Sequence, residues 1–297
     1  MKRVKNYLKL IRVKHYLKNV LIFLPLIFSG HFFDYNYFIN TLLGFISFSF
    51  VASIVYIIND YNDIEKDKKH PLKKFRPLAS GDVSKTEALI LLLVLGLLVC
   101  FIDLYFIYPY CNNTIFILFQ FLYLLLNIGY SLGLKDIPIL DVVILVSGFI
   151  IRLLFGGVID NIFISKWLYL TIMSGSFYMG LGKRRNELLK NSSKARKVLE
   201  KYNKSFLDKF MNIFMGLIVV YYSFWCIDVI TIKRLGDKAL YTVPLLLVIL
   251  MKYSYNIEGD SSGDPVDVIV NDKILLLLCF LLGLIMMFLL YFRGVLL

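Results

Sequence analysis

The chain has 297 residues, 59% hydrophobic and 18% charged, with a formal net charge of +12 and a mean hydropathy of +0.72. Soluble domains are roughly 45–50% apolar and about 25% charged, so this composition excludes a soluble enzyme and a disordered chain, and its long apolar runs exclude a β-barrel of alternating strands. Four cysteines, Cys100, Cys111, Cys226 and Cys279, are scattered without C-x-x-C spacing, which favours packing roles over a zinc site or a disulfide framework.

In chain order, the basic stretch Met1 to Lys18 leads into the apolar run Asn19 to Phe33. No small-x-small cleavage site follows before the next apolar run, so the pair reads as an uncleaved first helix and not as a signal peptide. Apolar runs then predict nine membrane spans, at about 19–33, 40–58, 87–108, 114–134, 138–158, 166–182, 210–230, 239–251 and 274–292. The eighth is short and contains Pro244. The expected fold class is therefore all-α integral membrane, one bundle of nine transmembrane helices, with residues 1–297 forming a single domain.

Orientation follows from the cations. With the N-terminus in the cytoplasm, the inner segments hold seven lysines and arginines before the first span, seven in 59–85, one at Lys135, ten in 183–209 and two in 252–273, which is 27 of 33. Lys166, Lys233, Arg234, Lys238 and Arg293 fall outside, and Arg152 lies within a span. The positive-inside rule makes this orientation the expected one, in a cell (inner) membrane, with the working face in the cytoplasm. Cations placed this way face a membrane surface, and no nucleic-acid partner is expected.

The sharpest local feature is Asn59-Asp60-Tyr61-Asn62-Asp63-Ile64-Glu65-Lys66-Asp67, at the end of the second span. On a continuing helix, Asn59, Asp60, Asp63 and Asp67 share one face. Stacked like charges at a helix C-terminus also oppose the macrodipole. A hard cation with carboxylate ligands is the usual compensation, which points to Mg2+ bridging to substrate phosphates, held by Asn59, Asp60, Asp63 and Asp67. A basic run follows, Lys66, Lys68, Lys69, Lys73, Lys74 and Arg76. Such a run also suits anionic lipid headgroups, but Arg76, set between Pro77 and Gly81, is the cation shaped for bidentate phosphate contact.

The run from Asn59 to Gly81 resembles the first motif of the UbiA superfamily of intramembrane prenyltransferases, which implies nine transmembrane helices around a lipid-accessible cavity. Members that act on aromatic or isoprenoid acceptors carry a second aspartate-rich motif after the sixth span. Here that position reads Gly182-Lys183-Arg184-Arg185-Asn186-Glu187-Leu188, one carboxylate with three cations. Cations in place of carboxylates imply a substrate carrying more negative charge than a prenyl diphosphate alone.

The decaprenyl-phosphate phosphoribosyltransferase branch of the superfamily is similar nearly end to end. The similarity runs through His15-Tyr16-Leu17-Lys18-Asn19, His70-Pro71, Tyr130-Ser131 with Lys135, and Asp141 with Ser147-Gly148-Phe149 and Arg152. It continues in Gly182-Lys183-Arg184 with Glu187, and in Gly263-Asp264-Pro265. This resemblance implies Mg2+-dependent transfer of 5-phosphoribose from phosphoribosyl diphosphate (PRPP) to a polyprenyl phosphate, for cell-envelope polysaccharide precursors. It implies Asp60, Asp63 and Asp67 as catalytic residues on the metal, and Lys18, Asn59, Arg76, Tyr130, Lys135, Lys183, Arg184 and Glu187 as substrate-binding residues. The acceptor phosphate is ionised at neutral pH, so none of the three histidines, His15, His31 and His70, is needed as a base.

Arg152 reads as a buried structural pair, and Glu258, Asp264 and Asp267 as a solvated last loop. The alternatives are an aromatic prenyltransferase with a polyprenyl diphosphate donor and a hydroxybenzoate or naphthoate acceptor, which the missing second aspartate motif disfavours, and a nine-span transporter. A transporter places ionisable groups near the midplane, where this chain has little besides Arg152.

Overall fold

The structure is a computed structural model that describes residues 2–69, 71, 73–111, 114–190, 197–259 and 263–292. His70 and Arg293, named above, lie outside the described residues. Among the described residues every regular element is helical. In chain order the α-helices are α1 Lys2–Leu10, α2 Leu24–Ser29, α3 Tyr35–Asn62, α4 Ile64–Lys69, α5 Lys85–Ile102, α6 Tyr108–Cys111, α7 Ile115–Leu132, α8 Leu140–Ile159, α9 Lys166–Leu189, α10 Lys204–Ile227, α11 Val229–Leu235, α12 Val243–Glu258, α13 Pro265–Asn271 and α14 Lys273–Tyr291.

Seven stretches of the described chain are long and apolar enough to cross a bilayer: Tyr35–Asn62, Lys85–Cys111, Ile115–Leu132, Leu140–Ile159, Lys204–Ile227, Asp237–Glu258 and Lys273–Tyr291. They coincide with seven of the nine expected spans. The other two take different forms. The run 19–33 is the end of a 3-10 stretch, Val13–Phe23, followed by the six-residue α2. Pro25, in the first turn of α2, has no N–H to extend a preceding α-helix, and Gly30 ends the run at φ +89°, a left-handed conformation glycine adopts freely. The run 166–182 is helical in α9, but Ser174, Gly175, Ser176 and the terminal Lys183-Arg184-Arg185 dilute its apolar content.

The chain divides into two compact units. The first comprises Met1–Leu26, His31–Leu132 and Ile151–Ile162, and the second Ile27–Gly30, Gly133–Ile150 and Phe163–Leu297.

Inside the first unit, α3 carries small and polar residues on its buried face, including Gly44, Ser47, Ser49, Ala52 and Ser53. Small residues let membrane helices approach closely. Ser47 Oγ donates to Asp103 Oδ1 at 2.7 Å, and Gln120 Nε2 donates to Ser47 Oγ at 3.0 Å, tying α3, α5 and α7 together at a π-turn over Asp103–Ile107. The 3-10 stretch packs against α8, where a Cβ on Gly156 would lie 2.1 Å from the Ile22 carbonyl oxygen. Arg152 is 4% exposed. Its Nε donates to Asn19 Oδ1 at 2.6 Å and its Nη2 to the Tyr123 hydroxyl at 3.0 Å, with its guanidinium over the Phe48 and Tyr123 rings. These contacts tie Arg152 on α8 to the 3-10 stretch, α3 and α7. Ser84 and Glu87 form a reciprocal capping box that starts α5, satisfying two N–H groups at once.

In the second unit, a core of Val142, Val146, Tyr178, Leu207, Ile218 and Ile257 joins the start of α8 to α9, α10 and α12. Gly182 permits this approach, since a Cβ there would come within 2.9 Å of Ile257. Asn203, Asp264 and Asp272 cap α10, α13 and α14 by accepting backbone N–H bonds.

Candidate active site

In the first unit the acidic motif straddles a break in the helix. α3 ends at Asn62, Asp63 takes φ −98° and ψ 8°, and α4 restarts at Ile64. The single continuous helix face expected for Asn59, Asp60, Asp63 and Asp67 is therefore interrupted. The break has an electrostatic benefit, because it moves Glu65 and Asp67 into the first turn of α4, the helix end that favours negative charge. Asp60 and Asp67 turn inward, 2% and 3% exposed. Asp63 keeps a partly exposed carboxylate 3.2 Å from Lys66 Nζ.

Two arginines compensate the buried pair. Arg12 Nη2 donates to Asp60 Oδ1 at 2.6 Å. Arg76 Nη1 lies 3.0 Å from the same oxygen and 2.8 Å from Asp67 Oδ2. The Arg76 loop is held by bonds from Ser80 N to the Arg76 carbonyl and from Val83 N to the Pro77 carbonyl, with Gly81 at φ +80°. Arg12 has φ 54° and ψ 51°, a left-handed conformation that costs a non-glycine residue on the order of 1–2 kcal/mol, and its guanidinium lies 4.6 Å from the Tyr56 ring centroid. Asn59 Oδ1 accepts from the Ser131 hydroxyl on α7. Tyr130 precedes Ser131 on the same helix, half-buried, and Lys18 is half-buried in the 3-10 stretch.

One amide and three carboxylates make a hard-oxygen donor set, chemistry that suits Mg2+ or a similar ion over a soft metal. Among the described residues no three His, Cys, Asp or Glu side chains stand close enough to hold an ion together. Arg76 Nη1 marks a point between Asp60 and Asp67 where positive charge is already accommodated, so the chemistry of these two carboxylates suits a cation there.

In the second unit, the cations of 183–185 differ from one another. Arg184 is fully buried. Its Nε donates to Asp141 Oδ2 and its Nη1 to Glu187 Oε2 at 2.8 Å. Tyr202 completes this cluster, donating to Asp141 Oδ1 at 2.7 Å and accepting from Ile139 N at 2.6 Å. Burial and the neighbouring Asp141 carboxylate push the Tyr202 phenol well above its usual range. These contacts commit Arg184 and Glu187 to joining α9 to the start of α8. Arg185, nearly buried, pairs with Asp208 and approaches Glu258.

Lys183 is the more accessible of the three, with a side chain 27% exposed and its Nζ 3.1 Å from Asp264 Oδ2. The last loop is thus joined to the cationic turn through Asp264, while Asp267 and Glu258 remain exposed. Lys135 is half-buried in the 3-10 turn Leu134–Asp136.

Sequence reasoning missed Arg12, Ser131 and Tyr202 as site residues. Arg12 is one of seven cations before the first span, and nothing in their spacing separates it from the rest.

A helical membrane protein whose acidic helix break is bridged by arginine has the makings of a site for phosphorylated substrates. The chain belongs to the UbiA prenyltransferase family, whose model matches residues 20–257. It is 31% identical over 290 residues to the decaprenyl-phosphate phosphoribosyltransferase of Mycolicibacterium smegmatis, covering 93% of this chain and 89% of that one. It is 30% identical over 280 residues to the protein of the same name from Corynebacterium glutamicum, covering 90% of this chain and 81% of that one. The fold matches a UbiA homolog from Archaeoglobus fulgidus solved with GPP and Mg2+, at a TM-score of 0.68 and 17% identity over 95% of this chain and 96% of that one.

Proposed function

We propose that this chain transfers 5-phosphoribose from phosphoribosyl diphosphate to a polyprenyl phosphate of the decaprenyl type and releases diphosphate. The observation that carries the reading is the end-to-end similarity, over 93% of the chain, to a relative named for that reaction. The site chemistry supports it, since both substrates are polyanions and the first unit sets Arg12 and Arg76 beside Asp60.

In this reading Asn59, Asp60, Asp63 and Asp67 hold a divalent cation, with Mg2+ the ion proposed, as in the Archaeoglobus fulgidus homolog solved with Mg2+. When bound, the cation neutralises the donor diphosphate and eases its departure. Arg76 contacts a phosphate oxygen bidentately, and Lys18, Lys135 and Lys183 neutralise the remaining phosphates. Tyr130 orients a ribose hydroxyl. Arg184 and Glu187 act through the α8–α9 junction that they hold, as positioning residues.

The lipid phosphate oxygen attacks the anomeric carbon as the bond to diphosphate breaks, so charge develops on the ribose and the anomeric centre inverts. No side chain has to remove a proton. We further propose that residues 1–297 work as one domain with nine membrane crossings, an N-terminus in the cytoplasm and the site on the cytoplasmic face of the inner membrane. The lipid product would feed cell-envelope polysaccharide synthesis.

The test is a membrane assay with labelled phosphoribosyl diphosphate, decaprenyl phosphate and Mg2+, beside a second tube with a prenyl diphosphate and 4-hydroxybenzoate. Label entering the lipid fraction only in the first, and lost with chelator, supports the reading. Product only in the second returns the chain to the aromatic prenyltransferases.

A further inference from the structure

Arg12 and Arg76 stand on two carboxylate oxygens of the acidic motif. Asp60 Oδ1 receives both guanidinium groups, at 2.6 and 3.0 Å, and Asp67 Oδ2 receives Arg76 at 2.8 Å. The two carboxylates are 2% and 3% exposed, so an ion reaches Asp60 Oδ1 only after a guanidinium moves. A divalent cation and a guanidinium cannot share that oxygen at close range without strong repulsion.

The arginines are not sealed in the interior. Their side chains are 21% and 30% exposed, and each comes from a backbone element outside α3. Arg12 sits at a left-handed φ of 54° between α1 and the 3-10 stretch, and strained backbone of this kind clusters at ligand clamps and switch regions. Its guanidinium also lies over the Tyr56 ring at 4.6 Å while it holds Asp60, a contact of moderate strength. A diphosphate offers each guanidinium a fork of oxygens equivalent to the carboxylate that it leaves.

We propose that Arg12 and Arg76 form an exchangeable clamp: they occupy Asp60 and Asp67 while the site is empty and transfer to the donor diphosphate when it arrives, which frees the carboxylates for the divalent cation. Arg12 is on this account a diphosphate-binding residue as well as a gate on metal binding. The consequence is coupled loading, with free cation binding weakly and the cation–diphosphate complex binding tightly, by thermodynamic linkage. The proposal rests on reading the Asp60 cluster as the metal–diphosphate site, and it does not depend on what group the diphosphate carries.

The experiment titrates the full chain in lipid nanodiscs with Mn2+ alone and with the preformed Mn2+–methylenediphosphonate complex, following bound Mn2+ by electron paramagnetic resonance. The wild type is expected to bind the complex at least tenfold more tightly than the free ion. Arg12→Gln is expected to tighten free Mn2+ about threefold to tenfold and to weaken the complex about tenfold, two shifts of opposite sign that a merely structural role would not produce. Arg12→Lys, which keeps the charge and loses the fork, is expected to fall between them.

Equal affinity of the wild type for free ion and complex overturns the proposal without recourse to any variant. So does an Arg12→Gln protein in which both affinities fall together. Opposite shifts in a protein that transfers no phosphoribose would leave the clamp standing and remove only the donor identity.

Discussion

The guanidinium of Arg12 and the carboxylate of Asp60, 48 residues apart, meet at 2.6 Å on a carboxylate that is almost wholly buried. Arg76 reaches the same oxygen from the other side of the motif. A buried carboxylate is costly unless paired, so the charge balance of this corner is set by residues from three separate chain segments.

Removing the acidic members separates two roles. Asp63 has a partly exposed side chain in an ion pair with the exposed Lys66, so Asp63→Asn should leave thermal stability within about 0.5 kcal/mol of wild type while reducing turnover by roughly 100-fold or more, an effect of about 2.7 kcal/mol on the barrier. Near-normal turnover in this variant would remove Asp63 from the metal set. Asp60→Asn should lose turnover and also stability, because it removes the buried negative charge that Arg12 and Arg76 share.

Neighbouring cations on α9 should behave oppositely. Arg184→Met breaks a fully buried pair with Asp141, and stranding one partner of such a pair costs about 3–5 kcal/mol. Lys183→Ala should cost under about 1 kcal/mol of stability, as expected of a part-exposed pair, and should raise the KM for phosphoribosyl diphosphate about tenfold, equivalent to roughly 1.4 kcal/mol. Thermal unfolding and steady-state kinetics on the two variants distinguish these roles. Equal loss of stability in both would contradict the assignment.

Gly156 supports the site from a distance. A methyl group there would meet the Ile22 carbonyl oxygen and backbone carbons within 3 Å, and backbone cannot yield as a flexible side chain does. Gly156→Ala should destabilise the protein by about 1–3 kcal/mol, the range for overpacking, and should weaken substrate binding because the 3-10 stretch carries Lys18 and follows Arg12. Gly96→Ala, with nothing within 4 Å of the added carbon, is the matched control and should be neutral or slightly stabilising.

Asp160 gives a pH dependence of predictable sign. Burial pushes its carboxyl up to about 6, opposed in part by a hydrogen bond from Thr41 Oγ1 at 2.6 Å. The unfolded carboxyl titrates near 3.9, so between about pH 4 and 6 the folded state binds the extra proton, and stability falls as pH rises through that window. Asp160→Asn keeps an acceptor for Thr41 without the charge. Its melting temperature should exceed that of wild type at pH 7.5, and the gap should close by about pH 4.5. A gap that stays constant over this range would contradict the account.

The fold class was legible because seven apolar runs are long enough to need no tertiary information. The run 19–33 was not, since Pro25 and Gly30 act on backbone geometry that a hydropathy count ignores. The acidic motif stands out by its spacing, whereas the break at Asp63 does not, because the dihedrals of one residue leave no mark on the spacing of its neighbours. Arg184 reads in sequence as a phosphate-binding charge, and the partner that the fold gives it is not visible there. That partner, Asp141, lies 43 residues earlier. Arg12 was hidden in the same way, by a partner 48 residues later and by a left-handed φ that no residue type announces.

The central claim is the identity of the transferred group, and mass spectrometry of the lipid product tests it most directly. Purified full-length protein in nanodiscs is incubated with phosphoribosyl diphosphate, decaprenyl phosphate and Mg2+, and the extracted lipid is compared with a reaction containing the Asp63→Asn variant. The account predicts a lipid heavier than decaprenyl phosphate by one phosphoribosyl group, absent with the variant. Unchanged decaprenyl phosphate, under conditions where the same preparation prenylates 4-hydroxybenzoate, would contradict it.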